Sequence, residues 1–180
     1  MSNENQGSEY IKVVADIIET ELNLKPANPA SVNPLDHRVI IWNQNFVLPT
    51  YNDMFIVLKE APGKVMAAKT EYDGSGAASN EIQTLIMQRE IDIDIMSRNA
   101  EARQRKEEVI LALASVYSQQ KQEANGFRIF SYAFSFIDAS ENEGAGRINR
   151  FRASLNLHVR YVKQKAIDYF NAFDYNVIEN

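Results

Sequence analysis

The amino-acid sequence predicts an α+β fold: an antiparallel twisted β-sheet with long hairpins, packed against two main helices. Three observations carry that expectation. Apolar residues recur at helical spacing over 10–22 and again over 102–117. Residues 147–165 alternate apolar and polar with a period of two, and 90–95 do the same. Between these stretches lie polar or proline-bearing segments suited to loops.

In chain order, Ser8 is placed to cap a first helix whose stripe is Tyr10, Ile11, Val14, Ile17, Ile18 and Leu22. The helix is expected to stop before Lys25, because Pro26 disfavours the α region for the residue ahead of it. Pro26, Pro29 and Pro34 then make an extended connector. Residues 38–46 (RVIIWNQNF) read as a strand closed by Pro49, and 53–60 (DMFIVLKE) as a second. Pro62-Gly63 reads as a turn, 64–72 as a third candidate strand, and 73–80 (DGSGAASN) as an exposed loop.

Residues 81–97 read as a long strand, after which Asn99 can cap a helix running to about residue 120. That helix carries Ala102, Val109, Ile110, Leu113, Val116 and Tyr117, and Asn125-Gly126 is its stop signal. An aromatic strand over 127–137 and a polar loop over 138–146 follow. The last strand sets Phe151, Ala153, Leu155, Leu157, Val159 and Tyr161 on one face. Arg150, Arg152, Ser154, Asn156, His158 and Arg160 occupy the other. The expected organisation is a single domain over 1–167 and a C-terminal arm over 168–180, too aromatic for a solvated tail.

Composition removes several function classes. Cysteine is absent, which excludes disulfides, thiolate catalysis and cysteine zinc sites, and fits synthesis in a reducing cytoplasm. No apolar run approaches the roughly 18–20 residues of a membrane span. The polar start, MSNENQGSEY, has no signal-peptide character, so the chain reads as soluble and unprocessed, with no membrane partner. A net charge of −5 is the wrong sign for a protein that grips nucleic acid through its phosphates.

No stretch carries a recognisable catalytic or cofactor-binding constellation. The glycines of DGSG open no helix and precede no Lys-Ser or Lys-Thr, so nothing there cradles a phosphate. His37 and His158 belong to no metal-binding pattern, and no Gly-x-Ser-x-Gly elbow sets up a serine nucleophile. Residues 98–106 (RNAEARQRK) are locally basic but interleaved with Glu101 and followed by Glu107 and Glu108, the pattern of a solvated helix face. Glu90, Asp92 and Asp94 share one strand face, where a divalent metal is one reading and a hydrated or cross-strand-paired face the plainer one. Arg150, Arg152 and Arg160 lie on the polar face of their own strand. Pairing of Asp92 and Asp94 with these arginines is expected to set register or subunit matching, since exposed pairs contribute only about 0–1 kcal/mol.

Two local patterns carry a resemblance. One is Ile41-Trp42-Asn43-Gln44-Asn45 followed by Pro49 and an apolar strand from Met54. The other is the alternating run from Arg150 through Phe151, Leu155, Leu157 and Val159 to Tyr161. Together with the order of elements over about 8–165, they resemble the tailed-bacteriophage neck and tail terminator proteins. Phe46-Val47-Leu48 departs from the small or polar turn residues common there. The resemblance implies a tail-terminator-like fold and a non-enzymatic virion protein of the head–tail junction. It further implies a homo-hexameric ring that contacts tail tube or sheath proteins and the head-side connector, with genome DNA passing through its lumen. A tail-tube or baseplate ring subunit is the neighbouring alternative, and a small metal-dependent cytoplasmic enzyme using Glu90, Asp92 and Asp94 the distant one. Tyr169, Phe170, Phe173 and Tyr175 are the expected docking residues of the C-terminal arm, alongside Asp92, Asp94, Arg150, Arg152 and Arg160 as interface candidates.

Overall fold

The structure, a computed structural model, describes residues 9–24, 37–42, 49, 52–73, 79–130, 135–143 and 146–167. Among them lie three helices, α1 (Glu9–Glu21), α2 (Glu101–Ala114) and α3 (Val116–Ala124). The strands are β1 (Val39–Ile41), β2 (Phe55–Asp73), β3 (Ser79–Ser97), β4 (Phe127–Ile129), β5 (Ile137–Asp138), β6 (Glu141–Glu143) and β7 (Gly146–Ile167). The main sheet runs in the order β1-β2-β3-β7-β4, with β5 and β6 attached along β7. The α+β class is as expected from the sequence, and the sheet is mostly antiparallel; β1 alone pairs parallel, with β2.

The helices bury one face of this sheet. Ile56, Leu58, Ile91, Ile93, Ile95, Phe151, Leu155, Leu157 and Val159 meet Val14, Ile17 and Ile18 of α1 and Val109 and Leu113 of α2 in a single cluster. Strict alternation along β7 puts each of its odd-numbered residues from 151 to 159 in this layer. A smaller cluster of Ile40, Phe55, Val57, Met96 and Ile148 stands apart from it.

Local chemistry ends α1 earlier than Pro26 would. Asn23 takes a left-handed φ of +53°, Leu24 N–H reaches Glu19 O at 2.9 Å and Asn23 N–H reaches Thr20 O at 3.3 Å. This is a Schellman closure with asparagine in the position glycine usually fills. The second predicted helix is two. Ser115 is extended (ψ 161°) and its Oγ accepts the Ser118 N–H at 3.0 Å, so it caps α3 instead of continuing α2. Upstream, Asn99 Oδ1 accepts Glu101 N–H at 2.8 Å and Ser97 Oγ accepts Ala102 N–H at 3.0 Å, dividing the capping of α2. Asn125-Gly126, with Gly126 at φ +66°, closes α3 as its sequence suggests.

Three further expectations are corrected. Pro62-Gly63 is not a turn: β2 runs through it, and the second and third candidate strands are one. The ladder with β3 slips between Ala61 and Lys64 and again between Val65 and Ala67, so extra residues are absorbed as bulges, where proline is tolerated. Residues 138–146 are no simple loop, since β6 pairs back on the start of β7 through Glu141↔Ile148. The aromatic strand expected over 127–137 is only β4 and β5, with 131–134 outside the described residues. The Ser8 cap, the proline connector, residues 43–48 and the loop over 74–78 also lie outside them.

Gly63 sits where a side chain has no room. A Cβ there would fall 2.6 Å from Gln88 O and 2.6 Å from Arg89 Cδ. The arginine can swing away, but the carbonyl belongs to the central strand and cannot. Gly63→Ala should therefore lower unfolding free energy by about 1–3 kcal/mol, the usual cost of overpacking. Urea titration checks this, and an unchanged midpoint would show that the bulge relaxes freely.

Candidate assembly interface

On β3 and β7 the face turned away from the helices carries a polar stretch, from Glu90 to Asp94 on β3 and from Arg150 to His158 on β7, beside the small cluster that includes Met96 and Ile148. Asp94 lies directly opposite Arg152, Asp92 opposite Ser154, and Arg150 opposite Met96, hence diagonal to Asp94. Both arginines converge on the one carboxylate. Arg150 donates from Nε to Oδ1 at 3.1 Å and from Nη2 to Oδ2 at 2.7 Å. Arg152 donates from Nε to Oδ1 at 2.8 Å and from Nη2 to Oδ2 at 2.9 Å. Each arginine bonds through two nitrogens to both oxygens, so the one carboxylate accepts four charge-assisted hydrogen bonds. Arg150 also lies 3.5 Å from Glu141 on β6, which draws the β6–β7 hairpin into the network.

The expected exposed pair is thus a part-buried network around a buried carboxylate. Asp94 is 6% exposed, while the Arg150 and Arg152 side chains remain 24% and 38% exposed. Asp92 does not reach an arginine by hydrogen bond; it accepts the Ser154 hydroxyl at 2.8 Å. Arg160 is on the same face but opposite Ile86, away from both aspartates. Tyr169, Phe170, Phe173 and Tyr175 lie outside the described residues.

Burial acts to raise the Asp94 pKa, but the hydrogen bonds from Arg152 and Arg150 together outweigh it and hold the carboxyl below the usual carboxylate range. A folded pKa below the unfolded one contributes stability that is present above the unfolded value and lost as pH falls through the folded value. Asp94→Asn should therefore cost stability at neutral pH and narrow its gap to wild type as pH drops below about 4. Thermal melts across that range measure the gap, and a gap that widens towards acid would contradict the assignment.

Glu90, Asp92 and Asp94 do alternate down one face, but both oxygens of Asp94 already accept arginine hydrogen bonds. Among the described residues no group of three or more His, Asp and Glu side chains is placed to hold a metal ion. His37 lies 3.8 Å from Glu19, and the His158 ring stacks on Phe130 with centroids 4.6 Å apart.

A second feature extends the long strands and hairpins expected from the sequence: these strands outrun the helices. β2, β3 and β7 are 19, 19 and 22 residues long, far beyond the five or six typical of strands, and their outer halves run past the helices as a three-stranded blade. Val65, Met66 and Val162 are exposed on it, and Tyr72 near its tip is 74% exposed. Ile82, Leu85, Ile86 and Met87 of the central strand are only half-buried, because no layer of described residues covers either face. β1 pairs β2 at Ile56, Val57 and Leu58 alone, and β4 pairs β7 at Leu157, His158 and Val159 alone. Both outer edges of the blade therefore have no strand partner among the described residues. The mixed composition of 64–72 (KVMAAKTEY) hid this, since an apolar side chain on an uncovered strand looks like one bound for a core.

No protein-family model matches the chain, and no curated protein matches it.

Proposed function

We propose that this chain is a structural subunit of a tailed-phage neck, with a tail-terminator-like fold, which forms a ring closing the tail tube and joining it to the head-side connector. The observation that carries the reading is the blade. Its outer strands, β2 and β7, are both antiparallel to β3 and so run the same way, towards the tip. One edge belongs to β2 and the opposite edge to β7, so a neighbour joins through unlike surfaces. Such head-to-tail association generates a ring when its rotation closes. Half-buried apolar side chains on both faces supply surface that a neighbouring copy would remove from water.

The resemblance of residues 41–49 and 150–161 to the neck proteins supplies the location and the six-fold expectation. A mildly acidic chain suits a lumen through which DNA slides without sticking. The Asp94 network serves this reading as a register pin for β3 against β7, at the base of the blade.

The test is size-exclusion chromatography with light scattering, followed by negative-stain imaging, on the chain alone and mixed with tail-tube and connector proteins. A ring in either sample is the expected result. A monomer in both would overturn the proposal, and labelling within virions separates a terminator from a tube or baseplate ring.

A further inference from the structure

We propose that the groove between α3 and β4 receives residues 168–180 of a second copy of this chain. The inference rests on the ring reading above and deepens it by naming the docking partners. The groove is a cavity of about 570 Å³ that follows the edge of β4, lined by Gln119, Gln122 and Glu123 of α3, by Phe127 and Ile129, and by Arg128, Phe130 and His158 of the opposite sheet face. Phe130 is 69% exposed and lies flat on His158, an aromatic surface with one side open. β4 is the last strand of the sheet path, and its hydrogen bonds alternate. Phe130 N–H bonds to Asn156 O across the ladder, so Phe127 and Ile129 turn their backbone groups outward, into the groove. Ile129 N–H is met by the buried Gln122 side chain at 2.8 Å.

Charge and strand direction select the occupant. Residues 168–180 (DYFNAFDYNVIEN) carry Asp168, Asp174 and Glu179 and no lysine or arginine, with aromatic residues between them. Arg128 is exposed at the groove and Arg160 in the cavity adjoining it, against Glu123 as the one acid among the described residues lining either. An acidic, aromatic segment fits a basic, aromatic groove. β7 ends at Ile167, roughly 26 Å past Val159, where β4 begins its pairing, and it is heading away from its own groove. A second copy's groove can be entered without reversing the chain, and thirteen residues reach up to about 45 Å.

The absence of cysteine makes the test clean. Two separate proteins, Phe173→Cys and Gln119→Cys, are mixed under mild oxidation, and the mixed disulfide is read on a non-reducing gel. It should form about tenfold faster than with Glu21→Cys as the partner, and adding Arg128→Glu or Phe130→Ser to the Gln119→Cys protein should remove that advantage. A chain bearing both cysteines that closes only on itself, or a mixed disulfide no faster than the control, would overturn the proposal. Rings by light scattering together with either of those results would leave the ring reading standing and refute the groove alone. A monomer at every concentration, with and without the tail proteins, would refute both.

Discussion

Replacing Arg150 and Arg152 together with methionine should lower unfolding free energy by about 3–5 kcal/mol, because it strands the Asp94 carboxylate in a site that water barely reaches. The effect is asymmetric. Asp94→Ala removes the buried member and leaves two guanidinium groups that can turn outward, so it should cost less than the double arginine change. Adding Asp94→Asn to the methionine pair should recover a large part of the loss, since the amide needs no counter-charge. Urea titrations of wild type, the methionine pair, Asp94→Asn alone and the combination make the cycle. If the arginine pair can be removed for less than about 1 kcal/mol, Asp94 is not held as a buried ion and its part in fixing register falls.

The second large effect concerns association. Changing Val65, Met66, Tyr72 and Val162 all to threonine keeps strand propensity while stripping apolar area from the blade. Fully burying a large apolar side chain is worth roughly 1.5–3 kcal/mol. Losing four such contacts should weaken ring formation by about a hundredfold or more. Because these side chains are exposed in the single chain, the melting temperature of the monomer should stay close to that of wild type. Sedimentation equilibrium separates the two readouts. Undiminished rings would show that the blade is not the contact surface.

The features legible in the sequence were those set by periodicity. The alternation of 147–165 gave β7 its two faces correctly, from Phe151 to Val159 inward and from Arg150 to Arg160 outward. The stripe from Tyr10 to Leu22 likewise marked α1. What escaped were decisions made by single residues against their neighbours. Asn23 ends α1 by adopting a conformation that costs asparagine little, and Ser115 splits a helix whose apolar spacing carries on past it. Pro62-Gly63 has the composition of a turn, and only the pairing of β2 with β3 on both sides turns it into a bulge.

The candidate interface was legible in part for a similar reason. Opposite charges on two alternating strands suggest that they meet, but which aspartate meets which arginine depends on register. That register puts Arg152 beside Asp94 and Ser154 beside Asp92. Burial of Asp94 was not foreseeable from alternation, since the polar face of a strand is ordinarily wet. The cap supplied by Gln122 to Ile129 joins a helix to an edge strand and leaves no trace in spacing.

The position of β7 in the sheet also sets when the chain can finish folding. β2 and β3 are consecutive and can zip as a hairpin from contacts near in sequence, Asp73 with Asn80 first. The other side of β3 pairs only with β7, Ser97 with Asn149 and Ser79 with Ile167, across the whole helical segment. Until residues 146–167 arrive, the row Ile91, Ile93 and Ile95 lacks half its neighbours and β3 is an open edge. Loop-closure entropy makes that step slow, and a chain growing from the ribosome holds the hairpin exposed while it waits. Truncations upstream of β7 should therefore yield aggregating fragments rather than a smaller stable fold.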